Sequence, residues 1–243
     1  LALHEVALKK LSRIKWNRKV QGIQELCIMD QVQFLDKITA FVEHENEDIR
    51  AEAQIASVHF KGFQGLNFLD TITKPISYWN RIRLLEEIAS ATYQEFQGLE
   101  KWLGATNDSV VLFALRLTGI YHIFNVHDAV IKCMDHTNES IRIEALHTLE
   151  DVYNEDTSVA IIDRYESGNL KFKIAALRTL SKIGSSDNID FLLSVWKNDD
   201  PRIKLAAARA VIASSGDGIE TLKRATEENP MPYQIIVEQL KAE

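Results

Sequence analysis

The sequence predicts an all-α protein, a solenoid of about eight helix pairs laid side by side, and three observations carry that prediction. Apolar residues recur with a 31-residue period. Between the members of that series lies a second set of segments with apolar residues at i, i+3 and i+4, the spacing of one helix face. The breaks between segments hold Asn, Asp, Ser and Gly, the residues of caps and turns. No stretch alternates as a strand would and no linker divides the 243 residues. Residues 1–243 are therefore expected to form a single solenoid, less regular over 1–125 and regular over 126–243.

The chain opens on LALHEVALKKLSRIKW, an amphipathic helix whose apolar set is Leu1, Val6, Leu8, Leu11 and Ile14. The repeating helices follow, each defined by an anchor residue and the residues four and eight later. Arg18 with Gly22 and Leu26 begins the series, and Ile49 with Ala53, Asn80 with Leu84 and Ile88, and Val110 with Ala114 continue it. Ile141, Phe172 and Ile203 are the next anchors, with Ala145, Ala176 and Ala207 four later and Leu149, Leu180 and Val211 eight later. Each anchor follows the last by the full period, except that the step from Asn80 to Val110 is shorter by one. Pro232 lies one period after Pro201, so a last unit is expected to begin at PYQIIVEQLKAE.

The intervening helices are QVQFLDKITAFVEH, GLNFLDTIT, QEFQGLEKWLG, VHDAVIKCMDH, TSVAIIDRYES, SDNIDFLLSVWKN and GDGIETLKRATEE. Asn or Asp precedes the repeating helix of many units, as an N-cap that accepts free backbone N–H groups would. Pro201 suits a first helical turn, where its missing N–H costs nothing. The alanine four after the anchor is expected to face neighbouring helices, where a larger side chain would hold them apart.

The pattern D-P-R-I-x-x-A-A-A-x-A-V at 200–211, followed by a Gly-Asp turn and the GIETLKRATEE helix, resembles the short HEAT-like repeat also found in phycobilisome lyases. The resemblance covers the last four units, about residues 126–243, in both phase and residue type. In the first half, Tyr78-Trp79-Asn80 and Val110-Val111-Leu112-Phe113 depart from it. It implies a right-handed α-α superhelix, a curved scaffold that binds other macromolecules.

Composition narrows the function classes. No apolar run approaches the roughly 18–20 residues that cross a bilayer. A membrane connection is expected only through a segment upstream of Leu1, and a cytoplasmic setting otherwise. Cys27 and Cys133 are too few for a disulfide framework and lack metal-ligand spacing, so both are expected to be buried thiols in a reducing compartment. The net charge of −7 argues against a generic nucleic-acid binder, which needs a basic surface.

Seven histidines raise the question of a metal site. Deoxyhypusine hydroxylase, another short-HEAT protein, binds two irons through repeated His-Glu pairs. Here only His4-Glu5 and His44-Glu45 are such pairs, and their separation overshoots the repeat period, so they are not expected to converge. The histidines are expected at the surface. No phosphate-cradle, zinc-protease or nucleophile-elbow motif occurs. Asn107-Asp-Ser and Asn138-Glu-Ser read as glycosylation sequons, yet both sit where a helix needs an N-cap. Tyr78, Trp79, Trp102 and Phe113 are expected to fill the core where the repeat is irregular.

The most suggestive pattern is a basic ladder. Arg116, His147, Arg178 and Arg209 stand six after their anchors, and Arg142, Lys173 and Lys204 stand one after, with Arg50 and Arg81 in earlier units. Ile82, Leu112, Ile143, Ile174 and Leu205 form an apolar row two after the anchor. The two basic rows are expected to run along the inner face and to bind an acidic, partly apolar peptide. The functional expectation is a monomeric, non-enzymatic scaffold with no cofactor, catalytic residue or metal. Two alternatives rest on resemblance alone: a lyase-like or di-iron hydroxylase-like enzyme, and a nucleic-acid binder like the HEAT-like alkylation-repair glycosylases.

Overall fold

A computed structural model of the chain describes residues 3–89, 98–197 and 200–226. Among them every regular element is helical: α1 (Leu3–Leu11), α2 (Trp16–Ile28), α3 (Leu35–Thr39), α4 (Glu47–Lys61), α5 (Tyr78–Ala89), α6 (Leu99–Leu103) and α7 (Asp108–Ile120). The series continues with α8 (His127–Cys133), α9 (Glu139–Leu149), α10 (Thr157–Tyr165), α11 (Leu170–Ile183), α12 (Ile189–Trp196), α13 (Pro201–Ser214) and α14 (Gly218–Thr226). No described helix is long and apolar enough to cross a membrane. The chain divides into two compact units, Leu1–Ala114 and Leu115–Glu243, the division falling within α7. The expected last unit from Pro232, residues 94–97 of the QEFQGLEKWLG segment, Asn198 and Leu1 lie outside the described residues.

The period read from the sequence is a period of burial. Ile49, Val110, Ile141, Phe172 and Ile203 are all buried, as are the residues four and eight later on the three regular helices. Gly22, Ala53, Ala114, Ala145, Ala176 and Ala207 occupy the fourth position. A Cβ on Gly22 would lie 2.8 Å from the Ala7 carbonyl oxygen, so at α1 and α2 even alanine is too large. The exception, Leu84 on α5, belongs to the unit whose preceding segment, Gly62–Asp70, is a 3-10 helix instead of an α-helix. There the close approach has moved to Gly65, where a Cβ would fall 2.2 Å from the Ser57 carbonyl oxygen. The GLNFLDTIT segment, expected as an α-helix, is tightened accordingly.

Caps repeat with the same period, three before each anchor from Ile49 onward. The side chains of Asn46, Ser77, Asn107, Asn138, Asn169 and Asp200 each accept a backbone N–H of the helix that follows, at 2.9–3.3 Å. Asn107 and Asn138 thus cap α7 and α9, as their positions suggested. Two of these turns carry a further lock. The N–H of Asn46 donates to His44 Nδ1, and that of Asn138 to His136 Nδ1, both at 3.0 Å. Arg50 and Arg142 reach back from the next helix to the carbonyls of the same two histidines, at 2.7 and 3.3 Å.

Threonine hydroxyls stitch one repeat to the next. Thr148 Oγ1 donates to the carbonyl of Leu115 or of Glu144, and Thr179 Oγ1 reaches the carbonyl of Leu146, which stands one full repeat beyond Leu115. Both threonines are buried, each at the seventh position after its anchor. A buried hydroxyl left without a partner would cost about 1–3 kcal/mol.

Several expectations are corrected. Ile14 lies beyond the end of α1 and is 97% exposed, and Val6 is also exposed; of the expected set Leu11 is buried, and Ala7, not in that set, is buried with it. Tyr78 and Trp79 are both 67% exposed, while Trp102 and Phe113 are buried. The positions one and two before the anchor fall in the first helical turn, where Glu47, Asp48 and Ser140 of other units are also exposed. The histidines are not all at the surface. His127 is buried against Thr157 Oγ1 at 2.8 Å, and His44 and His136 serve the turns. Cys133 is buried and Cys27 half-buried, and burial pushes their thiols up to about 11 and about 12, which disfavours the nucleophilic thiolate.

Ala176→Leu should destabilise the protein by about 1–3 kcal/mol, because the fourth position has no room for extra carbons. Ala206→Leu, at a half-buried position on α13, should stay within about 0.5 kcal/mol. Urea unfolding of the two variants checks the contrast.

Candidate functional site

In the Leu115–Glu243 unit the repeating helices α9, α11 and α13 pack in sequence, α11 against both its neighbours. Helical geometry decides which of their side chains share a face. Positions two and six after an anchor are one turn apart, whereas the position one after is about 140° around from the sixth.

The side chains obey that geometry. A groove of about 550 Å³ runs across the three helices. Its walls bring together His147, Arg178 and Arg209 from the sixth-position row with Ile174 and Leu205 from the apolar row. The row one after the anchor is elsewhere. Arg142 is tied to its turn and lines a separate pocket of about 190 Å³ with Arg164 and Phe172. Lys173 Nζ donates to Glu166 at 2.7 Å and lies 4.9 Å from the centre of the Tyr165 ring. Lys204 is half-buried outside the groove lining. Arg116, though in the sixth-position row, is ion-paired with Glu144. Of the expected residues the groove lining thus takes up His147, Arg178 and Arg209, while Arg142 serves its turn and Lys173 pairs with Glu166.

Sequence reasoning missed Glu150, Ser181, Lys182, Arg202 and Ala206, which also line the groove. Glu150 and Ser181 stand nine after their anchors, so extending the two-and-six stripe by one more turn would have found them. Glu150 organises that end of the groove. Only 9% of its side chain is exposed, and it contacts Lys182, His147 Nδ1 at 3.4 Å and Thr179 Oγ1 at 3.1 Å. Burial pushes the Glu150 carboxyl up, but the hydrogen bonds from His147, Lys182 and Thr179 outweigh it and hold the group below its ordinary pKa. The hydrogen bond to Glu150 in turn raises the pKa of His147 above the usual histidine value, against the opposing effect of its partial burial.

The remaining charges are positive. Arg202 closes on Asp200 at 2.8 Å. Arg178 has no acidic partner among the described residues, and its guanidinium stands exposed beside the apolar side chain of Ile174. The groove thus offers an uncompensated base, a titratable base and a strip of hydrocarbon.

Among the described residues no group of three or more His, Cys, Asp or Glu side chains is placed to hold a metal ion. The two His-Glu pairs serve other ends: His4 stacks on Phe34 with ring centres 5.9 Å apart, and His44 holds its turn.

The stacked helix pairs, the periodic caps and the 31-residue burial pattern have a counterpart among known families. The family model of HEAT repeats matches residues 127–213, which span α8 to α13. Over that segment the chain is similar to HEAT repeats. The groove lies wholly within the matched HEAT segment, since its lining residues run from His147 to Arg209. No curated protein matches the chain.

Because the bond to Glu150 is what raises the His147 pKa, Glu150→Gln should lower that pKa toward the ordinary histidine value, and an NMR titration of the imidazole reads it directly. A raised folded-state pKa stabilises the fold below the unfolded value of about 6.5, and this contribution is lost as pH rises through the folded pKa. The wild type should therefore lose more stability than Glu150→Gln on going from about pH 6 to pH 8.

Proposed function

We propose that this HEAT-repeat protein is a non-enzymatic scaffold that captures an acidic, partly apolar segment of a partner protein in the groove across α9, α11 and α13. The single observation that carries the proposal is the juxtaposition of Arg178, without an acidic partner among the described residues, with Ile174 and Leu205 on the same wall. HEAT repeats as a class are helical scaffolds for protein interaction, which supports binding over catalysis.

The chemistry of capture follows from the lining. Arg178 presents a guanidinium fork whose geometry matches a carboxylate, and Arg209 adds positive charge to the same lining. Charge-assisted hydrogen bonds of this kind contribute about 1.5–3 kcal/mol each. The apolar strip takes a Leu or Phe side chain between the acids and excludes water from the charged contacts. His147 adds a third positive charge only when protonated, and Glu150 favours that state.

Labelled peptides in which Asp and Glu alternate with Leu or Phe test this by fluorescence anisotropy. Arg178→Glu/Arg209→Glu should weaken binding at least about tenfold, which is roughly 1.4 kcal/mol, while leaving the far-UV circular dichroism unchanged. Equal affinity of the variant and the wild type would overturn the assignment of the groove. Wild-type affinity should also fall between about pH 6 and pH 8, and His147→Gln should flatten that dependence.

A further inference from the structure

From Leu1 to Val20 the chain carries six Lys or Arg and one Glu, although its net charge as a whole is −7. The structure sorts those bases. Lys10 is ion-paired with Glu25, and Lys19 donates to the Leu11 carbonyl at 2.7 Å while lying 4.9 Å from the Phe41 ring centre. Arg18 donates to Gln21 Oε1 at 3.1 Å. Lys9, Arg13 and Lys15 are exposed and meet no acidic partner among the described residues. They surround the corner at 12–15 that joins α1 to α2.

The apex of that corner is apolar. Ile14 is 97% exposed between Arg13 and Lys15, and Trp16, which follows Lys15, is 50% exposed. A depression of about 730 Å³ beside them is lined by Lys9, Lys10, Arg13, Lys15 and Arg18 with Ile14, and no acid contributes to it. The corner is also held in shape. The N–H of Arg13 donates to the Lys10 carbonyl at 3.1 Å, and those of Arg18 and Lys19 share the Lys15 carbonyl at 3.0 and 3.3 Å. Gly22 clamps α2 against α1 behind it. A fixed corner that aims an isoleucine and half a tryptophan outward through a ring of bases is costly in water and suited to an interface.

We propose that the α1–α2 corner docks on an anionic phospholipid surface, with Ile14 entering the acyl boundary, Trp16 at headgroup level and Lys9, Arg13 and Lys15 on lipid phosphates and carboxylates. Tryptophan favours the region where a membrane turns from apolar to wet. Bases near an anionic leaflet are attracted to it, and one shallow apolar contact plus several charges gives reversible attachment. Charge complementarity selects a negative surface. Ile14 selects lipid over nucleic acid, because a phosphate backbone has no hydrocarbon in which to bury an exposed aliphatic tip.

The test is cosedimentation of the whole chain with vesicles of phosphatidylcholine alone and with about 30% phosphatidylserine. The wild type should bind the anionic vesicles and not the neutral ones. Arg13→Glu/Lys15→Glu should lose at least about tenfold in the bound-to-free ratio, and Ile14→Asp about fivefold. The groove variant Arg178→Glu/Arg209→Glu should bind vesicles as the wild type does, which separates this proposal from the peptide groove. A polarity-sensitive dye on Ile14→Cys, read against wild type treated with the same dye, should shift to the blue on anionic vesicles only. Three results would each overturn the proposal: no binding to anionic vesicles, binding that Ile14→Asp leaves intact, or tighter binding to duplex DNA or an acidic peptide that the corner variants abolish.

Discussion

The close contact made by the small residue four after the anchor, at every unit but that of Leu84, is the constraint on which the rest depends. An α-helix with a methyl or hydrogen at that place can lie within about 8–10 Å of its neighbour. Once it does, the anchor and the residue eight later are carried into the core together, as Ile141 with Leu149 and Phe172 with Leu180 show. The capping side chains three before the anchor then fall at turns, and Thr148 and Thr179 come within reach of the previous repeat's carbonyls. Sidedness follows from the same fact. With anchor, fourth and eighth positions buried, the second and sixth must share the opposite stripe, and the groove is that stripe repeated on three helices.

Sorting the bases by what they already hold separates structural charge from available charge. Arg50 and Arg142 bolt turns, Lys173 answers Glu166, Arg116 answers Glu144, and Arg164 forks onto both oxygens of Asp135 at 2.8 Å. Exposed pairs of this kind contribute little to stability, yet they consume charge that would otherwise attract a ligand. Arg178, Lys9, Arg13 and Lys15 are not consumed in this way by any described acid. The two proposals rest on those residues and on the hydrocarbon beside them.

How far the sequence carried the reading depends on which interactions are periodic. The repeat, its phase, the small-residue row and the caps were legible because each recurs once per unit and each has a composition of its own. The partition of the ladder was not, because Arg142 and Arg178 look alike as letters and differ only in the 140° or so between their positions around the helix. Glu150 was missed because its importance lies in three partners on two helices. Tyr78 and Trp79 were expected inside on residue type alone, although they fall in a first helical turn whose counterparts Glu47, Asp48 and Ser140 are exposed. Ile14 misled for a similar reason, since the helix that its spacing implied ends earlier, at Leu11.

The most direct measurement of the central claim is site-specific photocrosslinking from the groove. A benzoylphenylalanine at Ser181 or Ala206, both on the groove wall, should attach covalently to a bound acidic peptide. The same group at Lys171, exposed on α11 and ion-paired with Glu139 outside the groove, should not. Crosslinks from Lys171 equal to or stronger than those from Ser181 and Ala206 would contradict the account.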